Sequence, residues 1–168
     1  MKNLLVFAVS FWVIQAGANQ SCQLLERASL ALSVHAANWS NAITTRTPKG
    51  GPYKVKVLKC AKHCRVVEEE HTTLKYEPGH PDADAGGYVT YPVIDKSAEL
   101  AAISANAEII RNMGKACPEK VKVTDKVNSA MIEYKSGSTQ IDVFNFNDNS
   151  NLTSWVRQTK SGEQIINF

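Results

Sequence analysis

Two apolar stripes, each closed by a cysteine, constrain this chain more than any other feature of it. Steps of three and four from Cys22 give Leu25, Ser29, Leu32, Ala36 and Trp39; the same steps from Leu100 give Ile103, Ala107, Ile110, Gly114 and Cys117. Each series is one face of a helix, and the spacing predicts helices over 22–40 and 95–116. Asp95 or Ser97 is placed to cap the second, Glu99 in its first turn suits the positive helix end, and Pro118 discourages continuation. Run antiparallel, the seams align in layers: Cys22 with Cys117, Leu25 with Gly114, Ser29 with Ile110, Leu32 with Ala107, Ala36 with Ile103, Trp39 with Leu100. Most layers set a large residue against a small one, which suits close interdigitation. The end layer holds two cysteines. This register therefore calls for a Cys22–Cys117 disulfide, worth typically about 2–4 kcal/mol, and leaves Cys60 to pair with Cys64.

Disulfides need an oxidising compartment, and the start of the chain supplies a route to one. Residues 1–18 carry Lys2, an apolar run from Leu4 to Ile14 and the small-residue ending Ala16-Gly17-Ala18, the pattern of a secretory signal cleaved near Ala18. The residues before Cys22 lack the apolar and small pattern of a lipid-attachment signal. The expected organisation is a cleaved signal over 1–18, a main domain over 19–117 and a β-rich extension over 118–168, with the mature protein in the periplasm.

Between the helices the periodicity changes to two. YKVKVLK (53–59) alternates valines with lysines, RVVEEE (65–70) follows, and Cys60-Ala61-Lys62-His63-Cys64 makes a hairpin tip. A further extended piece is expected at 72–76 and another from Tyr88, ending at Pro92. Beyond Pro118, short alternating runs at 130–135, 139–146, 152–159 and 164–168 are separated by SGS, NDNSN and KSGE. These predict a small antiparallel meander that carries Trp155, Phe144, Phe146, Ile141 and Val143 and has a small apolar face. So small a sheet needs a packing partner, so it is expected to rest on the first domain. The fold class is α+β: an antiparallel pair of N- and C-terminal helices, a hairpin-rich middle and a C-terminal meander.

Chemistry-bearing clusters are sparse. Cys60, Cys64, His63, His71 and His80 do not fall in a common zinc spacing, and export favours the disulfide. Glu77, Asp82 and Asp84 lack the regular ligand spacing of a calcium loop; Asp82 and Asp84 are expected to form turns by bonding nearby backbone. Ser33 and His35 point in different directions on a helix, and no GxSxG, HExxH or phosphate loop occurs. A net charge of +3 does not point to nucleic acid. Lys54, Lys56, Lys59, Lys62 and Arg65 make a basic hairpin, read as a solvated face. No enzyme, cofactor, metal or small-molecule substrate is expected.

Two long unusual strings resemble the flagellar basal-body rod proteins, specifically the proximal rod FlgC family. The first is NWSNAITTRTPKGGPY (38–53), with Asn38, Asn41, Thr45, Arg46, Pro48, Gly50, Gly51, Pro52 and Tyr53. The second is EPGHPDADAGGYVTYP (77–92), with Pro78, His80, Pro81, Asp82, Asp84, Gly87, Tyr88, Val89, Tyr91 and Pro92. They occur in the family's order, and the resemblance covers about residues 22–116. It implies a paired N- and C-terminal helix, a β-rich middle, self-association into a tubular axial structure, and no catalysis. A secretory signal and about fifty residues beyond the second helix depart from the family pattern. The expected protein is thus a secreted paralogue, a structural component or close accessory of the rod that acts in motility with basal-body or other envelope partners. The alternative is a periplasmic interaction module that reuses the fold outside the flagellum.

Overall fold

The computed structural model describes residues 3–61, 63–118, 120–126, 129–135, 140–147 and 152–167, with side chains described for those from residue 20 onward except 125 and 126. Among the described residues, two helices and nine strands follow one another in the order α1 (Asn3–Ser40), β1 (Val55–Cys60), β2 (Cys64–Glu69), β3 (Thr72–Tyr76), β4 (Tyr88–Pro92), α2 (Lys96–Lys115), β5 (Val121–Lys126), β6 (Ser129–Tyr134), β7 (Gln140–Phe146), β8 (Leu152–Thr159) and β9 (Gly162–Asn167). All strand pairs are antiparallel: β1 with β2, β3 with β4, and a five-stranded meander β5-β6-β7-β8-β9. Helix α1 begins well before Cys22. No proline interrupts 3–40, and a single interior glycine costs only about 1 kcal/mol.

The chain divides into two compact units, and the division passes through both helices. One unit is Met1–Ser29 with Ser104–Phe168; the other is Leu30–Ile103. In the first, Cys22 is bonded to Cys117, just beyond the end of α2. In the second, Glu99 in the first turn of α2 bonds His35 and Asn38 near the end of α1. Within its own unit, each link ties α2 to a different place on α1: the disulfide to the middle of that helix, and Glu99 to its last two turns.

The stripe on α2 is buried at Ile103, Ala107, Ile110 and Cys117, and that on α1 at Cys22, Leu25, Leu32 and Ala36. The outer layer differs. Trp39 and Leu100 are only half-buried, and the Lys96 ammonium sits 4.0 Å over the Trp39 ring. Asn38 is buried beside it. Asp95 caps α2: its Oδ1 accepts from the backbone N–H groups of Ser97 (2.9 Å) and Ala98 (3.1 Å). Those bonds hold its carboxyl below the usual range.

Within the first unit the meander turns one face toward the helices. Tyr134 on β6 donates its hydroxyl proton to Ser29 Oγ at 3.0 Å, and Arg111 lies 5.7 Å over the Phe146 ring. A Cβ on Gly114 would meet Val123 Cγ2 at 2.5 Å and Val121 Cγ2 at 3.2 Å. The small residue at 114 therefore admits the β5 valines; it is not there to receive Leu25. Strand β5 itself was not expected from the sequence. The buried face carries Val121, Ala130, Ile132, Asp142, Phe144, Trp155 and Ile166. Ile141 and Val143 lie on the opposite face and are half-buried. A strand alternates sides, so Phe144 cannot share a face with Val143; it shares one with Asp142. Asp142 is fully buried and takes a two-pronged bond from Arg157, its cross-strand partner on β8, through Nε (2.7 Å) and Nη2 (2.9 Å).

Candidate functional site

Both unusual strings lie in the second unit, and their side chains meet. The first leaves α1 at Asn41, whose Nδ2 donates to the Ala37 carbonyl at 2.8 Å while its backbone N–H bonds the Ala37 and Asn38 carbonyls. The Thr44 carbonyl then accepts from Tyr53 N–H at 3.0 Å, and Thr47 N–H donates to the Gly51 carbonyl at 2.8 Å. These bonds close the loop on itself. Gly50 and Gly51 take φ of +86° and +68°, a conformation other residues adopt only at a cost, which explains a Gly-Gly pair between Pro48 and Pro52.

The second string folds around Asp84, whose Oδ1 accepts from the N–H groups of Gly86 (2.8 Å) and Tyr88 (2.9 Å). It is the turn former expected. Gly87 has φ +80°, and a Cβ there would come within 2.9 Å of the Tyr76 ring and 3.0 Å of Pro78 Cβ. Tyr91 donates its hydroxyl proton to Glu77 Oε2 at 2.7 Å, and Val89 is fully buried. His80 packs its ring near Tyr91 and accepts through Nδ1 from the Asp82 N–H. Pro78 and Pro81 are exposed, and Pro92 is buried at the end of β4.

Asp82 departs from the expected turn role. Its carboxylate reaches across to the first loop, accepting from the Thr45 hydroxyl at 2.7 Å and pairing with Arg46 Nε at 2.6 Å. The Thr45 bond first, then the Arg46 charge, hold this carboxyl below its ordinary range. An open polar cleft of about 430 Å³ lies here, bounded by Thr45, Arg46, Pro48, Asp82 and Thr90.

Asn38 joins the site to both helices. Its Oδ1 accepts from Lys56 N–H (2.9 Å) and the Tyr53 hydroxyl (3.1 Å). Its Nδ2 donates to the Lys56 carbonyl (2.9 Å) and Glu99 Oε1 (3.1 Å). The amide thus satisfies both backbone groups of one residue on β1, as a neighbouring strand would. Glu99 Oε2 bonds His35 Nδ1 at 2.6 Å. Burial, then the carboxylates of Glu68 and Glu99, push the Tyr53 hydroxyl pKa up to about 12. Neither His35 nor Glu99 was expected to take part; their only sequence signal was position near the ends of two helices that pair.

The basic hairpin is partly neutralised by its own second strand: Lys54 pairs with Glu70 at 3.2 Å and Lys59 with Glu69 at 2.7 Å. Lys62 lies outside the described residues. Cys60 and Cys64 are bonded across the tip. Among the described residues no group of three or more His, Cys, Asp or Glu is arranged to hold a metal ion, and no helix is long and apolar enough to cross a membrane. The site offers loops cross-braced by side chains.

No protein-family model matches the chain. It is similar to curated proteins named flagellar basal-body rod protein FlgC. The Salmonella typhimurium (strain LT2) protein is 35% identical over 85 residues, covering 43% of this chain and 63% of the relative. The Escherichia coli O6:H1 protein is 31% identical over 105 residues, covering 51% of this chain and 78% of the relative. The Yersinia enterocolitica protein is 32% identical over 89 residues, covering 45% and 66%. The chain thus spans 63% of the length of the Salmonella relative.

Proposed function

This chain belongs to the FlgC family of flagellar basal-body rod proteins, and from that premise we propose that it is a structural, non-enzymatic component or close accessory of the rod, acting in motility with other basal-body proteins. The observation that carries the reading is the Thr45/Arg46–Asp82 junction. It ties the two family-like strings together through side chains, the bracing that suits a surface on which a subunit packs.

In this reading the chain is a secreted paralogue. Residues 1–18 are removed on export, residues 118–168 are an addition to the family domain, and the protein works on the periplasmic side. The fully paired cysteines support an oxidising destination. The second reading, an interaction module outside the flagellum, draws on one feature. The meander bonds α1 at Ser29 and is tied to the helices beside the Cys22–Cys117 bridge, which crowds the terminal helices that rod subunits are expected to pack together.

Fractionation decides between them. The processed chain, identified by an intact mass starting near Asn19, is expected to travel with purified basal bodies, and its deletion to reduce swimming. A processed chain found in the periplasm without basal bodies, in cells that swim normally, favours the second reading. A full-length chain in the cytosol overturns the export proposal.

A further inference from the structure

Strand β3 is exposed along its whole length, with Leu74 62% and Tyr76 66% accessible. Its ladder to β4 runs from His71, whose carbonyl accepts from Val93 N–H, to Glu77, whose N–H donates to the Gly87 carbonyl. In an antiparallel ladder, bonded pairs alternate. The odd residues His71, Thr73, Lys75 and Glu77 therefore bond β4. The N–H and C=O groups of Thr72, Leu74 and Tyr76 face away from it, and no third strand covers them among the described residues.

Such edges are usually guarded by proline, a bulge or an inward lysine. The free edge of β1 is closed at Lys56 by Asn38. Strand β3 has no comparable guard: it lacks proline, and Lys75 is turned to the other face, 4.6 Å over the Tyr91 ring. On the open face Leu74, Tyr76 and Tyr88 make an apolar strip, with the Tyr76 and Tyr88 rings edge to face at 5.4 Å. Two-stranded sheets are marginal alone and gain from added strands.

We propose that β3 is a self-docking edge: it pairs antiparallel with β3 of a second copy of this chain, Leu74 against Leu74 on the two-fold axis. This occupant is chosen by register. Centring on Leu74 sets Thr72 opposite Tyr76 of the other copy at both ends, so every outward-facing residue meets another. Bonded pairs exchange two hydrogen bonds each, giving about six. The same register sets Lys75 opposite Thr73 and Glu77 opposite His71, so no like charges face each other and each end gains a carboxylate–imidazole pair. Centring on Tyr76 would set Leu74 against Pro78, which has no N–H. Centring on Thr72 would set Leu74 against Glu70, a carboxylate beside the apolar strip. The product is a four-stranded sheet with one continuous face of Tyr88, Tyr76 and Leu74 from both copies. The contact is isologous, so it closes at two. It does not depend on the rod reading, and basal-body fractionation does not test it.

The test is the mass of the full secreted chain as a function of concentration, by sedimentation. A reversible dimer is expected. Leu74→Lys, which places two lysines face to face, is expected to weaken it by about tenfold or more; Leu74 is exposed, so the fold does not depend on it. Register is read by oxidation of single cysteines. In a bonded antiparallel pair the Cα atoms lie about 5.5 Å apart, within disulfide reach, so Leu74→Cys is expected to cross-link to a dimer. Thr72→Cys places its two copies about 14 Å apart and is expected not to, unless mixed with Tyr76→Cys. A wild-type chain that stays monomeric up to its solubility limit overturns the proposal. So does a dimer that Leu74→Lys leaves intact, or equal cross-linking at 72 and 74.

Discussion

Asn38 has one side-chain amide and four bonds, to Tyr53 in the loop before β1, to both backbone groups of Lys56 on β1 and to Glu99 on α2. Replacing it with alanine strands the Lys56 N–H and C=O, the Tyr53 hydroxyl and one oxygen of Glu99. An unsatisfied buried polar group costs about 1–3 kcal/mol, so Asn38→Ala is expected to destabilise by about 2–4 kcal/mol, read as a lower urea midpoint at unchanged slope. Asn38→Asp is expected to be worse at neutral pH, because a second carboxylate then faces Glu99. Asp82 makes a pH prediction. Its folded pKa lies below the unfolded one, so the stabilisation it brings is full above the ordinary carboxylate range and is lost as pH falls through the depressed folded value. NMR titration of the Asp82 carboxyl should give a midpoint below that of a free aspartate, moving upward in Thr45→Val. An Asp82 midpoint that ignores Thr45→Val would refute the link.

At the scale of elements, β5 meets α2 over Gly114. Gly114→Ala would ordinarily help a helix, since alanine is favoured there by about 1 kcal/mol. Here the added methyl meets Val123 at 2.5 Å, and overpacking costs about 1–3 kcal/mol. The expected result is a net loss of stability, partly restored by Val123→Ala. A more stable Gly114→Ala would mean that β5 does not approach α2 so closely. Strands β7 and β8 carry the Asp142–Arg157 pair. Arg157→Ala leaves a buried carboxylate unpaired and is expected to cost about 3–5 kcal/mol, whereas the joint change Asp142→Leu with Arg157→Met should cost far less, because the desolvation penalty goes with the charges. The comparison is a two-variant chemical denaturation experiment. The sequence around Asp142, TQIDVFNF, shows the alternation plainly but not which side is inward. The apolar set Ile141 and Val143 competes with Phe144 and Phe146, and only pairing to Ala130, Ile132, Trp155 and Arg157 selects the second.

For the molecule as a whole, the longest covalent constraint is the Cys22–Cys117 bond, closing 95 positions with Cα atoms 5.4 Å apart. Opening it by changing both cysteines to alanine is expected to lower stability by about 2–4 kcal/mol. The Cys60–Cys64 bond spans 4 positions and should contribute much less, since loop-closure entropy grows with the length closed. Thermal melting of the two double variants gives the order, and equal losses would refute the loop-length account.

The sequence by itself determined that there are two helices, most of the strand runs other than β5, and the resemblance to the rod proteins. Each of these is written in local order: a 3.6-residue stripe, a two-residue alternation bounded by turn residues, two long strings of unusual residues. The cysteine pairing was also legible, because two helical stripes ended on cysteines and only one direction brought those ends together. The tertiary structure decided what the side chains do. Asp82 could bond its own turn or the loop at Thr45, 37 positions away, and both are chemically sound. Gly114 could face Leu25 or β5. The compact units run through the helices rather than ending with them, because α1 and α2 each have enough length to serve two sets of strands. Periodicity belongs to a single segment and can be counted along it. The partner of a carboxylate, an amide or a missing side chain depends on the register between segments, which is settled only when many weak contacts are satisfied together.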